Sequence, residues 1–265
     1  MGAFRRTHHG ASLQYDNKFA SMSDMRERWE RELREAANPE KIEILNRFFK
    51  TGKGEYGEGD IFIGLTVPAN RAISKNYAFQ PLEEIEMMID SPIHEFRLAG
   101  LLALVERYKK TRRQADRDEI VDLYLSIGHK ANNWDLVDLS APGILGPELS
   151  AGRRIDEIDR LIESDCLWCN RIAMVSMLNP VMKHGQTDLA LATANRLLDH
   201  THDLMRKAVG WVLREVGKKD DAALRSFLDS NIARLSSITL SYATEKFTPE
   251  ERAVWRGKAK AARPR

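Results

Sequence analysis

In the segment NNWDLVDLSAPGILG, residues 132–146, Trp134 and Asp138 stand four apart. On a helix that spacing puts a large aromatic and a carboxylate on one face, in a stretch that otherwise reads as core. Burying a polar group without a partner costs about 2–7 kcal/mol. Asp138 must therefore find a cation or turn toward a groove. Asp135 is the other acid that could take a cation, and Arg171 sits at the edge of RIAMVSML. Each of these residues also has a plain reading. Arginine on a helix surface makes ion pairs worth about 0–1 kcal/mol, and tryptophans such as Trp134 and Trp211 in amphipathic helices usually pack in a core.

The elements that must position these residues read as helices almost throughout. PIHEFRLAGLLALVERYKK places Phe96, Leu98, Leu101, Leu102, Leu104 and Val105 on a broad apolar face, with Ser91 before Pro92 as a start signal. DEIVDLYLSIG, DEIDRLIES and DLMRKAVGWVLREVGKKD repeat the habit, the last stopping near Gly217. Turn signals fall at NP (38 and 179), SP (91), APG (141) and KHGQTD (183). No stretch sustains strand alternation, so the fold class is all-α. Arg97, Trp134, Arg171 and Trp211 follow one another at intervals of 37, 37 and 40 residues. A helix-pair period near 40 marks HEAT-like solenoids, which curve and present a concave face. On that reading the four residues occupy equivalent places in successive repeats and line one surface. A non-repetitive helical bundle is the alternative.

Other patterns are set aside on physical grounds. Gly52, Gly54 and Gly57 match G-x-G-x-x-G, but a helical run precedes them where a dinucleotide fold needs a strand. Cys166 and Cys169 form C-x-x-C with no second pair for zinc and no α/β setting for redox work. His94–Glu95 lacks the second histidine of a zinc protease, and His200 and His202 read as surface residues near a helix start. No metal or cofactor is expected. No run of about 18 apolar residues exists, so no membrane contact is expected. The charged N-terminus has no apolar stretch behind it, and Arg6 stands where a myristoylation pattern needs Ser or Thr. Two cysteines make no disulfide framework, which points to the cytoplasm. The chain holds 41 basic and 39 acidic residues, but its last 15 hold six basic residues and one acid. The body is therefore slightly acidic and the end basic. The expected organisation is a flexible tail over 1–22, one repeat domain over 23–250 and a basic tail over 251–265.

HEFRLAGLLALVERYKK, NNWDLVDLSAP, LWCNRIAMVSML, HDLMRKAVGWVLREVGK and TLSYATEKF, in that order, resemble the AlkD-like family of DNA alkylation repair enzymes. FFKTGKGEYGEGDIFIGLTVP resembles its N-terminal part, and the likeness spans about residues 25–255. The resemblance implies HEAT-like repeats with a concave DNA-binding face. It also implies a monomeric, metal-free DNA glycosylase that removes N3- and N7-alkylated purines from double-stranded DNA without drawing the base into a pocket. Trp134, Asp138, Arg171 and Trp211 match the family's active-site pattern. Asp138 would then stabilise the positive charge that develops on deoxyribose, or position the attacking water. The two indoles would lie against sugar and backbone, and Arg171 would grip a phosphate. Arg97, Lys207 and Arg214 are expected to join Arg171 in contacting DNA. The sequence departs from the family at Thr66, Asn170, Ser237 and Ser241, where arginines are common. Those losses remove phosphate contacts and bear on DNA affinity more than on chemistry; the serines at 237 and 241 favour the alternative function, a non-catalytic HEAT-like protein that binds DNA structure or a protein partner.

Overall fold

The structure is a computed structural model and describes residues 24–262. The tail expected over 1–22 lies outside the described residues. The chain forms two compact units that part between Arg107 and Tyr108, within one helix.

The first unit holds α1 (24–35), α2 (Ile42–Phe48), α3 (Val67–Ser74), α4 (Leu82–Ile89) and the start of α5 (His94–Lys110). Its core includes Trp29 stacked on Tyr77 at 4.8 Å, and a mutual cluster of Phe49, Phe62 and His94 with ring centroids 4.4–5.0 Å apart. The glycine-rich stretch of residues 51–60 forms turns, as its lack of a preceding strand implied. The first turn of α5 holds the segment that follows. Glu95 accepts hydrogen bonds from the amides of Ile63, Gly64 and Leu65 at 2.9–3.1 Å. His94 Nδ1 lies 3.0 Å from Asp60 Oδ2. Gly64 has φ +88°, and a Cβ there would meet the Asn38 carbonyl at 1.9 Å, so only glycine fits. The His94–Glu95 pair thus anchors a loop. Among the described residues the only β contact is the bridge between Ile61 and Ile93.

The second unit is a helical-repeat stack. It comprises α6 (Gln114–Ser126), α7 (Trp134–Ser150), α8 (Asp156–Glu163), α9 (Leu167–Ser176), α10 (Leu178–His184), α11 (Asp188–Leu197), α12 (Asp203–Lys219), α13 (Asp221–Ser230), α14 (Ser237–Ala243) and α15 (Pro249–Ala262). One layer runs α7, then α9 with α10, then α12, then α14, each packed on the next. The preceding helices form the other side: α6 packs on α7, α8 on α9, α11 on α12 and α13 on α12. The repeat arises because each amphipathic pair has a face it cannot bury alone.

Some local expectations change. APG at 141 lies inside α7, which runs through Pro142 and Pro147. Tertiary contacts override the turn signal: Asn179 Nδ2 donates to the Pro142 carbonyl at 2.9 Å, and Ser150 Oγ reaches Asn179 Oδ1 at 2.9 Å. NP at 179 lies in the first turn of α10, where the amide that proline lacks is not needed. Helix α12 continues through Gly217 to Lys219 and stops at Asp220, which caps α13 by accepting from the Ala223 amide. The stretch expected as a basic tail is largely helical. Trp255 and Ala259 of α15 are buried, and Lys258 pairs with Asp229 at 2.7 Å and lies over the Trp255 ring.

Candidate active site

Helix α7 begins at Trp134 because Asn133, in extended backbone, accepts the Trp134 amide on its side chain at 2.9 Å. Asp138 follows one turn later. Helix α9 begins after Cys166, whose Sγ accepts from the Cys169 amide at 3.4 Å. The C-x-x-C spacing therefore caps a helix. Burial and the neighbouring Cys166 push the Cys169 thiol up to about 12. Arg171 sits one turn into α9, which packs on both α7 and α12.

Arg171 meets Asp138 in a bidentate pair, Nε to Oδ1 at 2.9 Å and Nη2 to Oδ2 at 2.8 Å. Its remaining nitrogen, Nη1, donates to the Leu204 carbonyl in the first turn of α12 at 2.6 Å. One guanidinium therefore ties three helices together. Arg171 is 5% exposed and the Asp138 side chain 15%. Burial pushes the Asp138 carboxyl above the ordinary carboxylate range, and the nearby Asp135 adds to this; the charge and hydrogen bonds of Arg171 pull it back. Tyr124 lies beneath, fully buried, its hydroxyl 2.9 Å from Ser140 Oγ. Burial above all, and also the charge of Asp138, raises its pKa.

Trp134 and Trp211 are both half-buried. Trp211 lies two turns beyond Leu204 on α12, so the same helical face carries both residues. The intervals of 37–40 residues place Trp134, Arg171 and Trp211 in the correct helix layer but not at the same turn. Trp134 is the first residue of α7, Arg171 the fifth of α9 and Trp211 the ninth of α12.

The cations expected on DNA fare differently. Arg97, in the first unit, is 5% exposed, pairs with Asp60 and donates to the Ser91 carbonyl at 2.8 Å. It braces the loop at Asp60 and is not placed as a surface cation. Arg171 is likewise committed to Asp138. Arg214 pairs with Glu215 at 3.2 Å and with Glu245. Lys207 is half-buried and makes no ion pair among the described residues. Asn170 fills its position structurally: its amide donates to the carbonyls of Leu161 and Ser164 at 2.7 and 2.9 Å, closing the end of α8.

One neighbour of the site was expected only as a surface residue near a helix start. His202 is half-buried and caps α12, accepting the Leu204 amide on Nδ1 at 3.1 Å. Burial, and behind it the charges of Arg171 and Arg206, outweigh Asp203 and hold its pKa below the usual histidine value. His200, also half-buried, accepts the His202 amide at 3.1 Å. The legible signal was a histidine directly before the acidic first turn of α12. Among the described residues no three His, Cys, Asp or Glu side chains are grouped to hold a metal ion, and no helix is long and apolar enough to cross a membrane.

Fold and site together define a class: a helical-repeat protein with a carboxylate locked by an arginine at a three-helix junction, and half-buried indoles on two of the helices joined. The chain belongs to the DNA alkylation repair enzyme family, whose model matches residues 29–247. Among solved structures, a protein of Enterococcus faecalis described as a predicted DNA alkylation repair enzyme is similar at a TM-score of 0.62 and 17% identity, over 80% of this chain and 97% of that one. At that identity the likeness speaks for the fold. No curated protein matches the chain by sequence.

Proposed function

We propose that this protein is a DNA glycosylase that hydrolyses the N-glycosidic bond of cationic N3- and N7-alkylated purines in duplex DNA, as a monomer and without a metal. The observation that carries the reading is the Arg171–Asp138 pair at 2.8–2.9 Å, in a chain of a DNA alkylation repair family. An alkylated purine already carries positive charge, so it leaves as a neutral base without a strong general acid. The demand falls on the sugar, where positive charge develops at C1′. A fixed carboxylate meets that demand by preorganised electrostatics. Asp138 supplies the charge and can orient the attacking water.

We assign Arg171 a role other than a phosphate grip, because its three nitrogens already donate to Asp138 and Leu204. It positions Asp138 and keeps it ionised against the effect of burial. The pairing gives up part of the carboxylate's outward field for a fixed direction and a secure charge. Trp134 and Trp211 offer indole faces to sugar and backbone, and they exclude water. Cation–π attraction to an electron-poor group is worth about 0.5–2 kcal/mol. Lys207 is the phosphate contact on α12.

The test is release of 7-methylguanine from methylated duplex DNA, with Asp138→Asn as the control. A second reading, a non-catalytic DNA- or protein-binding repeat, draws on the internal pairing of Arg97 and Arg214 and on the serines at 237 and 241. Duplex binding without base release would favour it.

A further inference from the structure

A cleft of about 310 Å³ opens between α14 and α15. Helix α15 lies beyond residues 29–247, which match the family model. From α14 and its C-cap it is lined by Ser237, Ser241 and Thr244, and from α15 by Arg252, Arg256 and Lys260. The spacing explains the arrangement. Residues 237, 241 and 244 fall on one face of α14, and 252, 256 and 260 on one face of α15. Leu240 and Ala259 supply apolar wall.

No acid lines the cleft among the described residues. Two other charges of α15 are matched elsewhere: Lys258 with Asp229, and Glu251 with Arg225. By contrast, Arg252, Arg256 and Lys260 have no acidic partner among the described residues. Arg252 Nε is buried without a hydrogen-bond partner there. A buried donor left unsatisfied is a cost that a ligand oxygen would remove. Thr244 spends its hydroxyl proton on the Leu240 carbonyl at 2.7 Å. Ser237 and Ser241 are exposed, and their hydroxyls have no partner among the described residues, so they can donate outward.

Three cations, two free hydroxyls and an apolar wall suit a sugar-phosphate. We propose that the α14–α15 cleft is a phosphate-binding site that takes the backbone of duplex DNA. The cations of α15 then do what arginines at 237 and 241 would otherwise do from α14. The small serines leave the room that the longer side chains of α15 need. This inference rests on the DNA-repair reading above, but its readout is affinity for undamaged DNA and not base release.

The experiment compares the full chain with the triple variant Arg252→Gln, Arg256→Gln, Lys260→Gln, measuring binding to an undamaged duplex over a range of salt. Glutamine keeps helix propensity close to that of arginine and lysine. The triple variant should bind roughly tenfold or more weakly at low salt. Its salt slope should be shallower by about 0.9 for each phosphate no longer neutralised, or about 2–3 for all three cations. Ser241→Asp tests the same cleft from an exposed position on α14 and should weaken binding by setting an anion against the cations. Single-turnover release of 7-methylguanine at saturating protein should stay unchanged in both. Wild-type affinity and slope in the triple variant would overturn the proposal. Titration with inorganic phosphate separates the sources: if the triple variant loses phosphate binding but keeps DNA binding, the site serves a small anion and the DNA assignment is wrong. If the wild type releases no base while the triple variant still loses DNA affinity, the glycosylase reading fails and the cleft stands.

Discussion

Asp138 carries two opposed influences, and their balance sets what the residue can do. Burial favours the protonated carboxyl, while the Arg171 fork favours the carboxylate. The outcome is a pKa above the ordinary carboxylate range. If the ionised form is the active one, base release should fall on acidification, beginning at a pH above the usual aspartate value of about 3.9. A pH profile of single-turnover excision checks this; a limb at or below that value would show that Asp138 is not the titrating group. Asp138→Asn should lower base release about 10²–10³-fold, the range seen when one preorganised electrostatic group is lost, and leave duplex binding within a few-fold. Because the amide leaves the Arg171 guanidinium without its counter-ion, thermal melting must accompany the assay. Unchanged excision by a folded variant would remove Asp138 from the mechanism. Truncating Arg171 to Ala should act on stability as well as on rate, since breaking a buried pair costs about 3–5 kcal/mol. Arg171→Lys keeps the charge but not the fork, and should recover part of the stability while the acid limb moves.

Helices α12 and α14 meet closely enough that a side chain between them matters. A Cβ at Gly210 would lie 2.5 Å from Tyr242 Cβ and 2.7 Å from the Thr239 carbonyl. Alanine gains about 1 kcal/mol of helix propensity over glycine, but overpacking costs about 1–3 kcal/mol. Gly210→Ala should therefore lose up to about 2 kcal/mol in urea unfolding; a stabilised variant would show that the helices can part without cost. A second junction is electrostatic. Buried Glu148 on α7 accepts from Tyr108, from Gln114 at 3.2 Å and from Arg153. Burial pushes its pKa up, but Arg153, Tyr108 and Gln114 together win and hold it below the ordinary glutamate value. A depressed acid stabilises the fold above its unfolded pKa, and that contribution is lost as pH falls through the folded one. Glu148→Gln should flatten the dependence of stability on pH below about 4.3, as followed by melting temperature. An unchanged acid limb would shift the cause to other carboxylates.

At the scale of the whole molecule, excision should be indifferent to EDTA; loss with chelator and recovery with a metal would overturn the metal-free reading. The helical class was legible because the apolar period of 3.6 needs only local sequence to be seen, and the recurrence of helix pairs needs only counting. Trp134 and Asp138 could be placed on one face for the same reason: both belong to a single helix. What lay outside the sequence was how groups on different helices share partners. Nothing local shows that Arg171 spends its three nitrogens on Asp138 and Leu204 and not on a phosphate, or that Arg97 is held by Asp60, 37 residues away. Proline signals inside α7 misled for a related reason, since the contacts of Pro142 and Ser150 with Asn179 of α10 that hold that helix come from packing. The basic end of the chain showed its charge in the sequence, but not its helix, its buried Trp255 or the cleft its cations line. Sequence alone determines which faces are apolar and which residue types are at hand. Tertiary structure decides which charges are already neutralised and which remain for a ligand, because pairing depends on distances between elements that no local pattern encodes.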